Sequence, residues 1–338
     1  PAQTERWKAM VNNTDDHLGE LLGQLYTEQY FKPEAKKRML ELVNNLQKVY
    51  ADRIQKLDWM TPETKKKALE KLNAFIKKIG YPDKWKKYDD VEISKDTYYA
   101  NLQSAQKHAY KEMMDKLGKP VDKTEWMMTA PTVNAYYNPS FNEIVFPAGI
   151  LQFPFFDFSA DDAINYGAIG AVIGHEMTHG FDDQGRQYDA QGNLKEWWNS
   201  VDAAKFKVKT DKVDSFYNKF TLLDNQHVNV SLTLGENLAD LGGLNIAYDA
   251  FKLTEQGKGD KKIDGFTPDQ RFFLSFAQVW RIKDRPERMS VRLKTDPHSP
   301  EMFRVNGPVY NMEAFYKAFN IPASAKMYIA PENRLGVW

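Results

Sequence analysis

Cysteine is absent from the 338 residues. With it go disulfides, thiolate nucleophiles and cysteine-built zinc sites, so any metal held here must rest on histidine and carboxylate side chains. An excess of charge is missing too: 46 basic side chains face 46 acidic ones. That balance gives no electrostatic footprint for nucleic acid or for an anionic membrane surface. No apolar run approaches the ~20 residues of a membrane helix. The chain carries neither an internal repeat nor a low-complexity segment. Residues 1–10 are polar and hold no signal-peptide pattern, and no initiator Met opens the chain, which makes a processed product or a fragment the expectation. What is present is 42% hydrophobic and 13% aromatic residues. That is enough to bury a core in one large domain or two ordinary ones.

The periodicity is mostly helical. Met39, Val43, Leu46, Tyr50, Ile54 and Leu57 recur in steps of three and four and mark one face of a helix over residues 35–57. Thr61-Pro62 reads as a second helix start, with Ala68, Leu72, Phe75, Ile76 and Ile79 as its stripe and Gly80 and Pro82 as its stop. A helical stretch to about Gly118 follows a composition shift near Asp96. Residues 132–137 and 143–146, separated by Asn138-Pro139-Ser140, predict a β-hairpin. Further helices are expected over residues 160–181, 196–220, 231–253 and 267–283. The tail from Arg285 is punctuated by proline and ends in a short helix near residues 313–319. The expected fold is mainly α with a small β-sheet or hairpin.

The chemically informative string is His175-Glu176-Met177-Thr178-His179. Residues four apart on an α-helix lie about 40° apart on one face, one turn up, so both imidazoles can bind one metal ion. Glu176, the next residue, can reach a water on that metal. Ile169, Ala171, Val172, Ile173 and Gly174 make the surrounding helix apolar, where unpartnered imidazoles and a carboxylate would be costly. Two histidines leave zinc short of the three protein ligands of a catalytic site. Glu236-Asn237-Leu238-Ala239-Asp240 offers two carboxylates at the same i, i+4 spacing. One can ligate, and the other can accept the free ring N–H of a ligating histidine. His298, between Pro297 and Pro300 on a stiff loop, is either a donor to a developing oxyanion or an ordinary surface group. Arg304 is either a substrate-carbonyl donor or a salt-bridge partner.

The stretches Val172–Asp182 and Gly235–Leu244 resemble the signature segments of the neprilysin, endothelin-converting enzyme and bacterial oligoendopeptidase O (PepO) family of zinc endopeptidases. Asn134-Ala135-Tyr136-Tyr137, residues 144–151, residues 276–280, the Asp296-Pro297-His298-Ser299-Pro300 segment with Phe303 and Arg304, and the terminal residues 331–338 match in family order. The resemblance implies a thermolysin-like zincin catalytic domain over residues 96–338, and part of a second helical lobe over residues 1–95 that caps the substrate cavity. It implies one Zn2+ ion held by His175, His179 and Glu236, with Glu176 as general base. Asp240 would orient His175, and His298 would stabilise the tetrahedral intermediate. Arg304, Asn134 and Ala135 would bind the substrate backbone, and Val172 and Trp280 would line an apolar pocket for the residue after the cleaved bond.

The implied function is endopeptidase hydrolysis of small to medium peptides bound in extended conformation. The alternatives are a zinc-binding but catalytically silent fragment, a compact thermolysin-like single enzyme, and a helical scaffold with a chance motif. Animal members are rich in disulfides, so the absence of Cys points to a bacterial member in the envelope, in the periplasm or secreted. Family members are about twice this length, which makes the N-terminal half an expected second chain, with no nucleic-acid partner and no membrane span here.

Overall fold

The structure is a computed structural model and describes residues 3–223 and 225–338. In chain order the elements are α1 (Arg6–Tyr30), α2 (Pro33–Lys56), α3 (Pro62–Asn73), β1 (Ile76–Gly80), α4 (Tyr98–Met114), β2 (Tyr136–Asn138), β3 (Glu143–Pro147), α5 (Asp162–Asn165), a π-helical turn (Tyr166–Gly170), α6 (Ala171–His179), α7 (Ser200–Tyr217), β4 (Thr221–Leu222), β5 (Gln226–His227), α8 (Val230–Phe251), α9 (Glu255–Lys258), α10 (Pro268–Val279), α11 (Pro286–Thr295), α12 (Glu301–Tyr310) and α13 (Glu313–Ala318). The fold is mostly helical with small sheets. No described helix is long and apolar enough to cross a membrane.

The chain divides into two compact units. One contains the segment up to Lys36, Lys78–Asn134 and Val145–Leu151; the other contains Lys37–Lys77, Ala135–Ile144 and Gln152–Trp338. The path alternates between them, so these units do not correspond to a single cut near residue 95. In the first unit α1 lies against α4, and Thr129 donates its hydroxyl to Asp15 at 2.7 Å. The second unit holds α6, α8 and the side chains of His175, Glu176, His179, Glu236, Asp240, His298 and Arg304.

Helix starts follow local chemistry. Thr267 caps α10 in a reciprocal capping box with Gln270, with Pro268 in the first turn. Asn199 caps α7 by accepting from Asp202 N. Thr61 precedes α3 as expected, but its hydroxyl donates to Asp202 Oδ2 at 2.6 Å instead of capping the helix. Met39, Leu42, Val43, Leu46, Tyr50 and Ile54 are fully buried along α2.

One expectation is corrected. The helix expected to run from Thr61 to Gly80 ends at Asn73, and residues 76–80 form β1. Phe75, Ile76 and Ile79 fit the helical period, but so short an apolar run fits a strand equally well. Pairing with the wholly buried β3 decides the matter, and the sheet order is β1-β3-β2. Ahead of α13 the proline-punctuated tail forms two further helices, α11 and α12; Pro286 sits in the first turn of one and Pro300 at the N-cap of the other. There proline starts helices rather than breaking them. The hairpin β2–β3 is present. Its turn closes at Asn142, whose φ of 54° lies in the left-handed region that asparagine tolerates.

The packing that matters for the site is the crossing of α6 and α8. A Cβ on Gly174 would stand 2.5 Å from the Gly243 carbonyl oxygen, and a Cβ on Gly243 would stand 2.5 Å from the His175 nitrogen. Only glycine at both positions lets the two backbones touch. Beyond the end of α6, Phe181 joins a ring cluster with Tyr50 and Trp338, which continues to Trp59, Trp198 and Phe206.

Candidate metal centre and active site

The contact between α6 and α8 puts His175 and His179 opposite Glu236 and Asp240. One ligand atom each from His175, His179 and Glu236 lies within 4.8 Å of the others. The His175 and His179 Nε2 atoms are 2.9 Å apart, and Glu236 Oε2 is 3.1 Å from the first and 3.4 Å from the second. Each imidazole is fixed from behind. His175 Nδ1 donates to Asp240 Oδ1 at 2.8 Å, and His179 Nδ1 donates to Asp182 Oδ2 at 2.7 Å. With both Nδ1 atoms spent as donors, both Nε2 atoms present lone pairs to the same point. Glu236 Oε2, which aims at that point, is buried without a hydrogen bond. Three donor atoms converging on one spot in a buried site could hold a cation between them. Two imidazoles and one carboxylate suit zinc and leave a coordination position open.

Burial opposes charge on Glu236, but the imidazoles around it outweigh burial and hold its carboxyl well below the usual range. Burial likewise opposes charge on Asp240, yet the Arg304 guanidinium brings its pKa down to about 2. Burial and neighbouring His179 disfavour a proton on His175, while Asp240 and Glu236 reverse the balance and raise its pKa. His179 is raised further by Asp182 and Glu236. A bound metal replaces those protons. Glu176 is buried, and its carboxyl is pushed up by desolvation, an effect that the two histidines partly offset.

His298 enters from the loop between α11 and α12. Its Nε2 lies 3.2 Å from Glu236 Oε2, and its Nδ1 and backbone N–H both donate to Asp296 Oδ1 at 2.9 Å. Arg292 holds the other oxygen of Asp296 at 2.9 Å. Arg304 reaches the site from α12. Its Nε and Nη2 donate to the two oxygens of Asp240, and its guanidinium stacks on Trp280 at 4.1 Å. Trp280 is half-buried at the end of α10, and Val172 is half-buried on α6, one turn before the first histidine. Asn134 and Ala135 precede the edge strand β2, which itself lies against α6. Asn134 is exposed and Ala135 is buried; neither shares a hydrogen bond with the metal cluster.

Asp182, Asp296, Asn237 and Ser299 position groups of the site without a role expected from the sequence. Asp182 lies three residues beyond His179, just past the end of α6. Asp296 could have been found from its place two residues before His298, the spacing of an Asx turn. Asn237 and Ser299, discussed below, gave no local signal.

The helix pair and the three converging donors define a class, the zincin metallopeptidases whose third donor is a glutamate. The chain belongs to peptidase family M13. The model of that family matches residues 134–335, and a second one for its N-terminal part matches residues 1–82. The chain is 42% identical to an endothelin-converting enzyme homolog of Locusta migratoria, over 98% of this chain and 47% of that protein. It is 40% identical to neprilysin-1 of Caenorhabditis elegans, over 98% and 46%. It superposes on the zinc metalloprotease Zmp1 of Mycobacterium tuberculosis, solved with an inhibitor, at a TM-score of 0.94 and 46% identity, covering 100% of this chain and 52% of the other. For PepO from Lactobacillus rhamnosis the TM-score is 0.86 at 34% identity, covering 96% and 50%. The chain thus spans about half the length of the relatives it matches. Zinc is the cofactor characteristic of the family.

Proposed function

We propose that this chain carries the catalytic machinery of a zinc endopeptidase that hydrolyses small to medium peptides. The observation behind this reading is the convergence of donor atoms from His175, His179 and Glu236 within 4.8 Å, beside the buried Glu176. Zinc held there would supply a Lewis acid that polarises the peptide carbonyl and acidifies a water. Glu176 takes the proton of the attacking water as general base and hands it to the leaving amine. Its carboxyl, raised above the usual carboxylate range by burial, suits both steps. His298, oriented through Nδ1 by Asp296, presents Nε2 to the oxyanion that develops on the carbonyl. Asp240 fixes the tautomer of His175.

Substrate contacts follow from the same reading. With Nε and Nη2 committed to Asp240, Arg304 has Nη1 left for a substrate carbonyl. Asn134 and Ala135 pair with an extended peptide at the β2 edge, and Val172 and Trp280 line the pocket for the residue after the cleaved bond. Residues 96–338 form the catalytic domain. Residues 1–95 contribute to a helical lobe, although α3 and all but the start of α2 belong to the unit that carries the site. The N-terminal half of the relatives is the proposed partner, as a second chain. Lack of Cys supports a bacterial source, with the envelope, the periplasm or secretion as location; the relatives include animal and bacterial proteins.

The test is Glu176→Gln in the purified chain, with zinc content and cleavage of a fluorogenic peptide measured together. Zinc should stay stoichiometric while turnover falls by about 10²–10⁴-fold. Wild-type turnover in that variant would sink the assignment. The half-length match favours one other reading, a zinc-binding fragment that is catalytically silent without the missing half. Stoichiometric zinc with no cleavage by the wild-type chain would support it.

A further inference from the structure

Two consecutive residues of the 296–300 loop face two consecutive residues of α8. His298 Nε2 lies 3.2 Å from Glu236 Oε2, and one step on, Ser299 Oγ donates to Asn237 Oδ1 at 2.7 Å. Asn237 Nδ2 in turn donates to Thr233 Oγ1 at 3.0 Å, one turn earlier on the same helix. Ser299 is fully buried, and Asn237 is 1% exposed. A hydroxyl and an amide withdrawn from water in this way are costly to separate, so the loop holds its register on the helix.

The other grip on the loop acts differently. Arg292 holds Asp296, but it also holds Asp284 and Glu301, which flank α11 and start α12. That network orients the His298 ring and holds the loop to α11 and α12, so it reaches α8 only at one remove, through Arg304 on α12 and Asp240. Among the described residues, the loop itself meets α8 directly at two polar contacts, His298 Nε2 with Glu236 Oε2 at 3.2 Å and the fully buried Ser299–Asn237 hydrogen bond at 2.7 Å. Pro297 and Pro300 stiffen the backbone on either side of the pair, so a bond made at residue 299 fixes residue 298 as well.

We propose that Ser299 and Asn237 form a clasp that sets the position of His298 Nε2 relative to the metal donors. Because Asn237 directly follows the donor Glu236, the clasp registers the oxyanion-side histidine to the metal-binding carboxylate with no intervening residue. Ser299 and Asn237 are positioning residues and touch no reacting atom. This inference rests on the role given to His298 above.

The test compares Ser299→Ala, which removes one oxygen from a well-packed site, with His298→Ala and the double variant. Three readouts are taken: peptide turnover, zinc affinity by chelator competition, and hydrogen–deuterium exchange over residues 296–300 in the metal-free protein. Ser299→Ala should lower kcat by about 10- to 100-fold, the scale of an ångström-level misplacement, with KM and zinc affinity unchanged. In the His298→Ala background it should have no further effect on kcat. Exchange in the loop should speed up while the amides of α6 and α8 keep their protection. An equal loss in both backgrounds, or unchanged loop exchange, overturns the clasp. The exchange readout needs neither metal nor turnover. A chain that cleaves no peptide would therefore count against the proposed activity, and the clasp would still stand or fall on its own measurement.

Discussion

Arg304 grips Asp240 with two parallel hydrogen bonds of 2.8 Å, Nε to Oδ2 and Nη2 to Oδ1. The same Oδ1 accepts from His175 Nδ1, so a guanidinium on α12 sets the charge and aim of a carboxylate that in turn sets the tautomer of an imidazole on α6. Asp240→Asn keeps the size of the side chain and removes its charge. Its amide can present N–H to His175, which turns the ring's lone pair away from the metal point. Zinc affinity should fall about 10- to 100-fold, the usual effect of losing such a partner. Chelator competition measures it, and unchanged affinity would mean that Asp240 has no part in orienting His175.

Arg304→Met probes the other side of the pair. It leaves Asp240 buried with its charge uncompensated, and removing one partner of a buried ion pair costs about 3–5 kcal/mol. Urea unfolding should show most of that loss. The double variant Asp240→Asn/Arg304→Met should recover part of it, because the buried charge is then gone. If the double variant is as unstable as the sum of the singles, the pair is not coupled.

The crossing of α6 and α8 depends on Gly174. In Gly174→Ala the new methyl would meet the Gly243 backbone at 2.5 Å from its oxygen and 2.8 Å from its Cα. Backbone atoms cannot swing aside as a flexible side chain can, so the helices must separate. The expected loss is about 1–3 kcal/mol or more, together with weaker zinc binding, since His175 follows directly. Thermal unfolding and zinc titration on one preparation check both. A variant that binds zinc normally would show that the donors do not need this close approach.

How much of this was legible in the sequence depended on range. His175 and His179 had to face the same way because four residues make about one helical turn, and Glu236 and Asp240 follow the same rule on α8. Those relations are local. That Ser299 would meet Asn237 is not local, because 62 residues separate them; each alone looks like an ordinary polar residue. The strand at 76–80 was misread for a related reason. Its apolar spacing suits helix and strand alike, and the deciding partner, β3, lies far along the chain. Prolines 286 and 300 gave no helix signal, because proline ends one element and begins another with the same φ. The sequence also left open whether Arg304 meets a substrate or a salt-bridge partner, and two of its nitrogens are committed to Asp240.

Metal should matter to stability as well as to turnover. Glu236 Oε2 is buried with no hydrogen bond to the protein, and the Nε2 atoms of two imidazoles stand 2.9 Å apart, an arrangement that a cation between them would relieve. A ligand that binds only the folded state stabilises it by about 4 kcal/mol at a thousandfold excess over its Kd. Stripping zinc with a chelator should therefore lower the unfolding temperature, and restoring zinc should recover it. His179→Ala should abolish the difference. A zinc-independent unfolding temperature in the wild type would contradict the proposed site.

Lys71 gives a pH dependence separate from the metal. It is 1% exposed; its Nζ donates to the carbonyls of Gly185 at 2.6 Å and Tyr188 at 2.7 Å, among the rings of Tyr137, Phe181 and Trp197. Desolvation lowers its pKa from 10.5 to about 7, against the pull of Asp182 and Asp189. Below about pH 7 both folded and unfolded states hold the proton, and the folded state bears the whole cost of a buried ammonium. Between that pH and the unfolded value only the unfolded state holds it, so this residue makes the protein more stable as pH rises. The slope is at most about 1.4 kcal/mol per pH unit for one proton. Lys71→Met should remove it: urea midpoints of wild type and variant should diverge in favour of wild type on going from about pH 7 to about pH 9. Parallel midpoints across that range would mean that Lys71 stays charged in the fold, held by its two carbonyls and three rings.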